Sequence, residues 1–126
     1  TGIPGLLAEI RDGGAKIGLA SSSNRDFIEM ILNRLGIIRY FDVIVSGDEV
    51  KKSKPEPDIF LKAAEGLKVN PEDCLVIEDS QHGVKAANLA GMKCIGFHNP
   101  NSGIHDLSLA DTVVNSITEI NIKNYL

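Results

Sequence analysis

A chain of 126 residues has room for one domain, and its 43% hydrophobic and 24% charged content marks it as globular rather than disordered or fibrous. A net charge of -4, with thirteen Lys and Arg dispersed along the chain, argues against a nucleic-acid surface, because phosphate backbones demand clustered basic residues. Its apolar runs are far shorter than a membrane span and no signal peptide is visible, so no membrane association and a cytoplasmic location are expected.

Taken in chain order, Pro4 stands where a helix can begin, and Leu6, Leu7 and Ile10 share one side of a short helix that Gly13 and Gly14 stop. A strand is predicted at 16–20. After three serines and Asn24, the residues Phe27, Ile28, Ile31, Leu32 and Leu35 recur at helical spacing up to Gly36, a suitable residue to end a helix. A second strand follows at 42–46. Pro57 suits the first turn of a helix whose inner face is Ile59, Phe60, Ala63, Ala64 and Leu67. Then come a strand at 74–78, a helix running to Ala90, a strand at Lys93–Phe97 and a last strand at 112–115, with a further helix from Ile117 less well marked. Strands separated by helices of this size specify βαβ units, right-handed crossovers and a parallel sheet. Cys74 and Cys94 open two of these strands without metal-type spacing and read as reduced core thiols. No Gly-x-Gly-x-x-Gly follows a strand, so a dinucleotide-binding reading lacks its phosphate loop.

Three segments carry chemistry. The apolar run Cys74-Leu75-Val76-Ile77 ends in Glu78, Asp79 and Ser80, which places two carboxylates at the carboxyl end of a buried strand, where open α/β sheets bind ligands. Hard oxygen donors there suit Mg²⁺, while the plainer alternative is acidic residues stabilising a helix N-terminus. Ser21, Ser22 and Ser23 close the first strand and open the next helix, offering hydroxyls and backbone N–H groups to a phosphate, although such residues also serve as ordinary caps. In Ser53-Lys54-Pro55-Glu56-Pro57-Asp58, two prolines stiffen the chain around Lys54 and can aim its ammonium, whereas Lys51 and Lys52 are expected to be solvated. Asp48 and Glu49 precede Lys54 in one loop and could help to orient it, with a solvated loop as the plainer reading. His98 leaves a strand at its ligand-binding end and could line the pocket, with an ordinary loop histidine as the plainer reading, while His82 and His105 lack zinc-type partners.

In this order, a serine after a hydrophobic strand, Lys-Pro-x-Pro-Asp, and Glu-Asp-Ser followed by Gly-x-x-Ala-Ala-x-x-Ala-Gly-Met, the motifs resemble the haloacid dehalogenase-like phosphatase and phosphomutase superfamily, in its β-phosphoglucomutase-like branch. The likeness covers nearly the whole chain. It implies an α/β fold, a three-layer Rossmann-like parallel sheet, and a single domain over residues 1–126 that forms the C-terminal portion of the core. It further implies Mg²⁺-dependent phosphoryl transfer on a small phosphorylated sugar, either as a mutase acting on β-glucose 1-phosphate or as a phosphosugar phosphatase. By resemblance, Ser21 and Lys54 are catalytic, Ser22, Ser23 and Asn24 grip the substrate's other phosphate, Glu78 and Asp79 hold Mg²⁺, and Ser80 supports them.

The sequence departs from the family at one point. Members attack phosphorus with the first aspartate of an Asp-x-Asp-Gly motif on a strand that lies between the serine strand and the Glu-Asp strand, and no Asp-x-Asp occurs here. The sheet is therefore expected to be incomplete, with the nucleophile strand and the helical cap absent and the 126 residues inactive alone. Three outcomes are open for the resulting gap: direct pairing of its two flanking strands, filling by another chain through strand exchange or oligomerisation, or partnership with an N-terminal piece. A non-catalytic module that keeps the sheet is the reading from a different class.

Overall fold

The computed structural model describes residues 2–99 and 105–124. Four helices, α1 (Ile3–Asp12), α2 (Arg25–Leu35), α3 (Asp58–Leu67) and α4 (Gln81–Leu89), alternate with five strands, β1 (Gly18–Ser21), β2 (Val43–Ser46), β3 (Leu75–Glu78), β4 (Lys93–Phe97) and β5 (Thr112–Val114). Short 3₁₀ turns connect them. The helix α2 has the predicted bounds because both of its ends are marked: the Asn24 side chain accepts from the Phe27 N–H, and Gly36 takes the left-handed conformation, φ 71°, that closes it. The strand β1 begins later than predicted. Ahead of it, the Ile17 N–H donates to the Asp42 carboxylate while the Asp42 N–H donates to the Ile17 carbonyl, so a side chain replaces the first rung of the ladder. The segment after Ile117 is two 3₁₀ turns, 117–119 and 122–124, instead of a helix. Its buried residues Ile117, Ile120 and Ile122 are β-branched and spaced three and two apart, which makes no helical stripe.

The strands are all parallel but form two sheets, β1-β2 and β3-β4-β5. Helices α3 and α4 cover one face: Ile59, Phe60, Ala63 and Ala64 pack with Val45, Val76, Val84, Ala86, Ala87 and Cys94. On the other face, Leu7 of α1 joins Ile28 and Leu32 of α2, while Leu6 and Ile10 reach a second cluster with Ile95, Val114 and Ile117. The architecture is thus the three-layer, incomplete parallel α/β fold that the motifs imply. Among the described residues no helix is long and apolar enough to cross a membrane.

Direct pairing of β1 with β3, one of the three outcomes considered for the gap, does not occur. A groove of about 630 Å³ separates them, lined by Gly18, Leu19 and Ala20 on one bank and Leu75, Val76 and Ile77 on the other. Residues of α1 and α3, including Leu6, Ile10, Phe60 and Leu67, line it from the two faces. As a result β1 is only partly buried along its length.

Candidate active site

Glu78 closes β3, and the chain turns there into α4. One carboxylate oxygen, Oε2, accepts from Lys54 Nζ at 2.9 Å. The other, Oε1, accepts from the N–H groups of Asp79 and Ser80 at 3.1 and 3.3 Å and from the Ser80 hydroxyl at 3.2 Å. Ser80 does double duty, since its oxygen also accepts from the Gly83 N–H at 3.0 Å and so caps α4. The ion pair is nearly closed to water, with the Lys54 and Glu78 side chains 13% and 12% exposed. Two opposite charges in so dry a place hold each other far more firmly than they would on the surface. Lys54 also lies 5.1 Å from the centre of the Phe60 ring, in the first turn of α3. Lys51 and Lys52 are exposed.

Gly83 opens the Gly-x-x-Ala-Ala motif, and the structure gives it a role that the motif alone does not state. A Cβ built on it would overlap the Glu78 carboxyl carbon, so only glycine lets that side chain lie across the start of α4. Gly83→Ala is expected to displace the Glu78 carboxylate and free Lys54, lowering turnover of the complete protein by at least tenfold while the sheet stays folded; enzyme kinetics beside far-ultraviolet circular dichroism check this. A sequence signal existed, because this is the only glycine within α4.

Asp79 accepts from the Asn99 side chain at 3.4 Å. Glu78 and Asp79 are hard-oxygen donors at a strand end, the donor chemistry that would suit Mg²⁺. Among the described residues no group of three metal-ligating side chains gathers. His105 is engaged otherwise, its Nδ1 accepting from the Gln81 N–H at 3.1 Å, and His98 is exposed. Burial pushes the Cys94 thiol up to about 12 and raises Cys74, which favours the protonated thiol in both.

The serine loop lies at the carboxyl end of β1, in the other sheet. Among the described residues no hydrogen bond joins Ser21, Ser22, Ser23 or Asn24 to Lys54 or Glu78. The expectation that α2 offers a set of free N–H groups needs correction. The Ser23 N–H donates to Ser21 Oγ at 3.2 Å, the Phe27 N–H to Asn24 Oδ1 at 2.9 Å and the Arg25 N–H to Asp48 Oδ2 at 3.1 Å. The orientation of Lys54 by Asp48 and Glu49 is likewise corrected, since both acids bind Arg25 instead. The hydrogen bond from Arg25 holds the Glu49 carboxyl below the ordinary carboxylate range and raises the guanidinium in turn. A carboxyl depressed on folding contributes stability that is present above its unfolded value and lost as pH falls through the folded one, so this pair is intact at neutral pH.

Comparison with known proteins sets this site in context. A family profile described as haloacid dehalogenase-like hydrolase matches residues 1–97. The bifunctional riboflavin kinase/FMN phosphatase of Arabidopsis thaliana is 43% identical over 121 residues, 95% of this chain and 32% of that protein. The β-phosphoglucomutase of Bacillus subtilis is 47% identical over 95 residues, 75% of this chain and 41% of that protein. The crystal structure of a β-phosphoglucomutase from Clostridium difficile matches with a TM-score of 0.86 at 38% identity, covering 98% of this chain and 52% of that one. The chain therefore spans about half the length, or less, of these relatives.

Proposed function

Because the chain belongs to the haloacid dehalogenase-like hydrolases, we propose that the complete protein is a Mg²⁺-dependent phosphoryl-transfer enzyme for a small phosphorylated sugar. The reading favoured is a β-phosphoglucomutase that converts β-glucose 1-phosphate to glucose 6-phosphate, supported by likeness to proteins of that name. The observation that carries it is the enclosed Lys54–Glu78 pair beside Asp79 at the carboxyl end of β3. A phosphosugar phosphatase is the second reading, supported by likeness to a protein named phosphorylated carbohydrates phosphatase.

Phosphoryl transfer asks little covalent chemistry of a protein beyond the nucleophile; positioning and charge neutralisation supply most of the rate. In this proposal the nucleophile is an aspartate on a strand that fills the groove between β1 and β3, brought by an N-terminal part of the protein or by another chain. Lys54, fixed by Glu78, sets its positive charge against the phosphoryl group as negative charge spreads over its oxygens. Ser21 donates its hydroxyl to the same group, while Ser22, Ser23 and Asn24 hold the substrate's other phosphate. Glu78 and Asp79 would hold Mg²⁺, with Ser80 fixing Glu78, and the bound ion supplies further charge neutralisation at the phosphoryl oxygens. Water as acceptor yields a phosphatase, and a sugar hydroxyl yields a mutase.

Two measurements on the complete protein test this. Incubation with β-glucose 1-phosphate is expected to release glucose 6-phosphate in excess of free phosphate; free phosphate alone would transfer the assignment to a phosphatase, and neither product would leave the non-catalytic module. Asp79→Asn is expected to raise the Mg²⁺ concentration for half-maximal turnover by about tenfold or more, since a neutral amide is a poorer partner for a hard dication. An unchanged titration would remove Asp79 from the metal site.

A further inference from the structure

The serine loop has little of its own to hold it. Ser22 and Asn24 are exposed, and among the described residues the Ser23 N–H to Ser21 Oγ bond is the one hydrogen bond made within the loop. What holds it is the turn after β2, Gly47-Asp48-Glu49, through contacts that no motif predicts. The Gly47 N–H donates to the Ser23 carbonyl at 3.0 Å, and a Cβ at Gly47 would overlap the Ser22 carbonyl oxygen, so the two backbones touch. Arg25, the first residue of α2, is then bound at both ends. Its N–H donates to Asp48 Oδ2 at 3.1 Å. Its guanidinium donates through Nε and Nη2 to Glu49 Oε1 and through Nη2 to the Ile44 carbonyl at 2.6 Å. Glu49 is secured in turn by the Ser46 hydroxyl at 3.2 Å, and Ser46 is completely buried.

We propose that Arg25, clamped by Glu49 and Asp48 and seated against Gly47, is a positioning residue that holds the Ser21–Asn24 loop in its phosphate-gripping shape. The inference rests on the reading that this loop binds phosphate. The Arg25 guanidinium is taken up by Glu49, the Ile44 carbonyl and, at 3.7 Å, Glu29, so its part is to position the loop and not to bind the anion. Binding groups left loose by even an ångström lose most of their worth, and a planar fork that bonds a carboxylate and a carbonyl at once cannot be replaced by a lysine.

Kinetics of the complete protein, with inorganic phosphate as competitive probe, test this. Arg25→Ala is expected to raise KM and the phosphate inhibition constant together by about tenfold, with kcat within about twofold because Ser21, in register with Ser46 in the β1-β2 ladder, stays in place while Ser22–Asn24 loosen. Arg25→Lys should recover only part of this. Glu49→Ala should match Arg25→Ala, and the double variant should be no worse than either single one, because the two act as a unit. Gly47→Ala disturbs the loop from the opposite side, without touching a charge, and is expected to raise the same two constants.

Thermal unfolding accompanies each variant, so that a protein failing to fold is recognised and Arg25→Lys with Gly47→Ala decide the question. If Ser21→Ala weakens phosphate inhibition while all the clamp variants leave it unchanged, the clamp is structural only and the inference falls. If Ser21→Ala also leaves phosphate inhibition unchanged, the loop is not a phosphate site and the underlying reading falls with it.

Discussion

In the complete protein, Lys54→Ala is expected to slow turnover about 100- to 1,000-fold, the usual loss when one preorganised electrostatic donor is taken from a site where charge develops. The geometry makes the effect larger than the removal of a single charge. Glu78 loses the cation on Oε2 and is left as a carboxylate only 12% exposed, held by Ser80 and two backbone N–H groups at Oε1. An acid so placed repels the phosphoryl group that the lysine would have attracted. Lys51→Ala, three residues away and in water, is the control and should change kcat less than twofold. Steady-state kinetics on the two variants decide the matter, and equal effects would mean that Lys54 holds no privileged place.

Purified alone, the 126-residue chain is expected to transfer no phosphoryl group at all. Glu78 and Asp79 are two carboxylates at the end of β3, and no three metal-ligating side chains meet among the described residues. The groove that would seat a nucleophile has no strand of the described chain between its banks. The assay uses Mg²⁺ with β-glucose 1-phosphate and, separately, phenyl phosphate; turnover above buffer that survives repurification would show that these residues hold a nucleophile of their own. The same sample should expose the edges of β1 and β3 to strand pairing, because among the described residues no strand pairs with either of them across the groove. Concentration-dependent sedimentation would report it.

Much of the fold was legible because it is local. The spans of α2 and β4 were readable from an apolar stripe closed by Gly36 and from a short unbroken apolar run. The Lys54–Glu78 contact lies 24 residues apart in sequence, and its members could be named only because proline on one side and a strand end on the other restrict both. The clamp at Arg25 spans a similar distance to Glu49 with no such marker, since an arginine at a helix start and an acid in a loop are both common on surfaces. Gly47 and Gly83 were hidden for another reason: their meaning is the volume they leave vacant, for a carbonyl in one case and a carboxylate in the other. The gap between β1 and β3 was legible only from the missing Asp-x-Asp strand of the family pattern, because a strand's own composition reports its burial and says nothing about which strand lies beside it.

The groove makes the spacing of the site a matter of elasticity. Ser21 ends one sheet and Glu78 another, so no ladder of hydrogen bonds measures the distance between them. A single intervening strand would set β1 and β3 about 9.6 Å apart, two rungs of about 4.8 Å, and would gauge the site as a shim gauges a bearing. With the shim out, the two halves are tied by oil rather than by struts. Leu7 of α1 is anchored in one cluster, Leu6 in another and Ile10 in both, through contacts that are strong in sum but carry no direction. A substitution such as Leu6→Ala, far below the phosphate, then changes the jaw opening rather than any jaw.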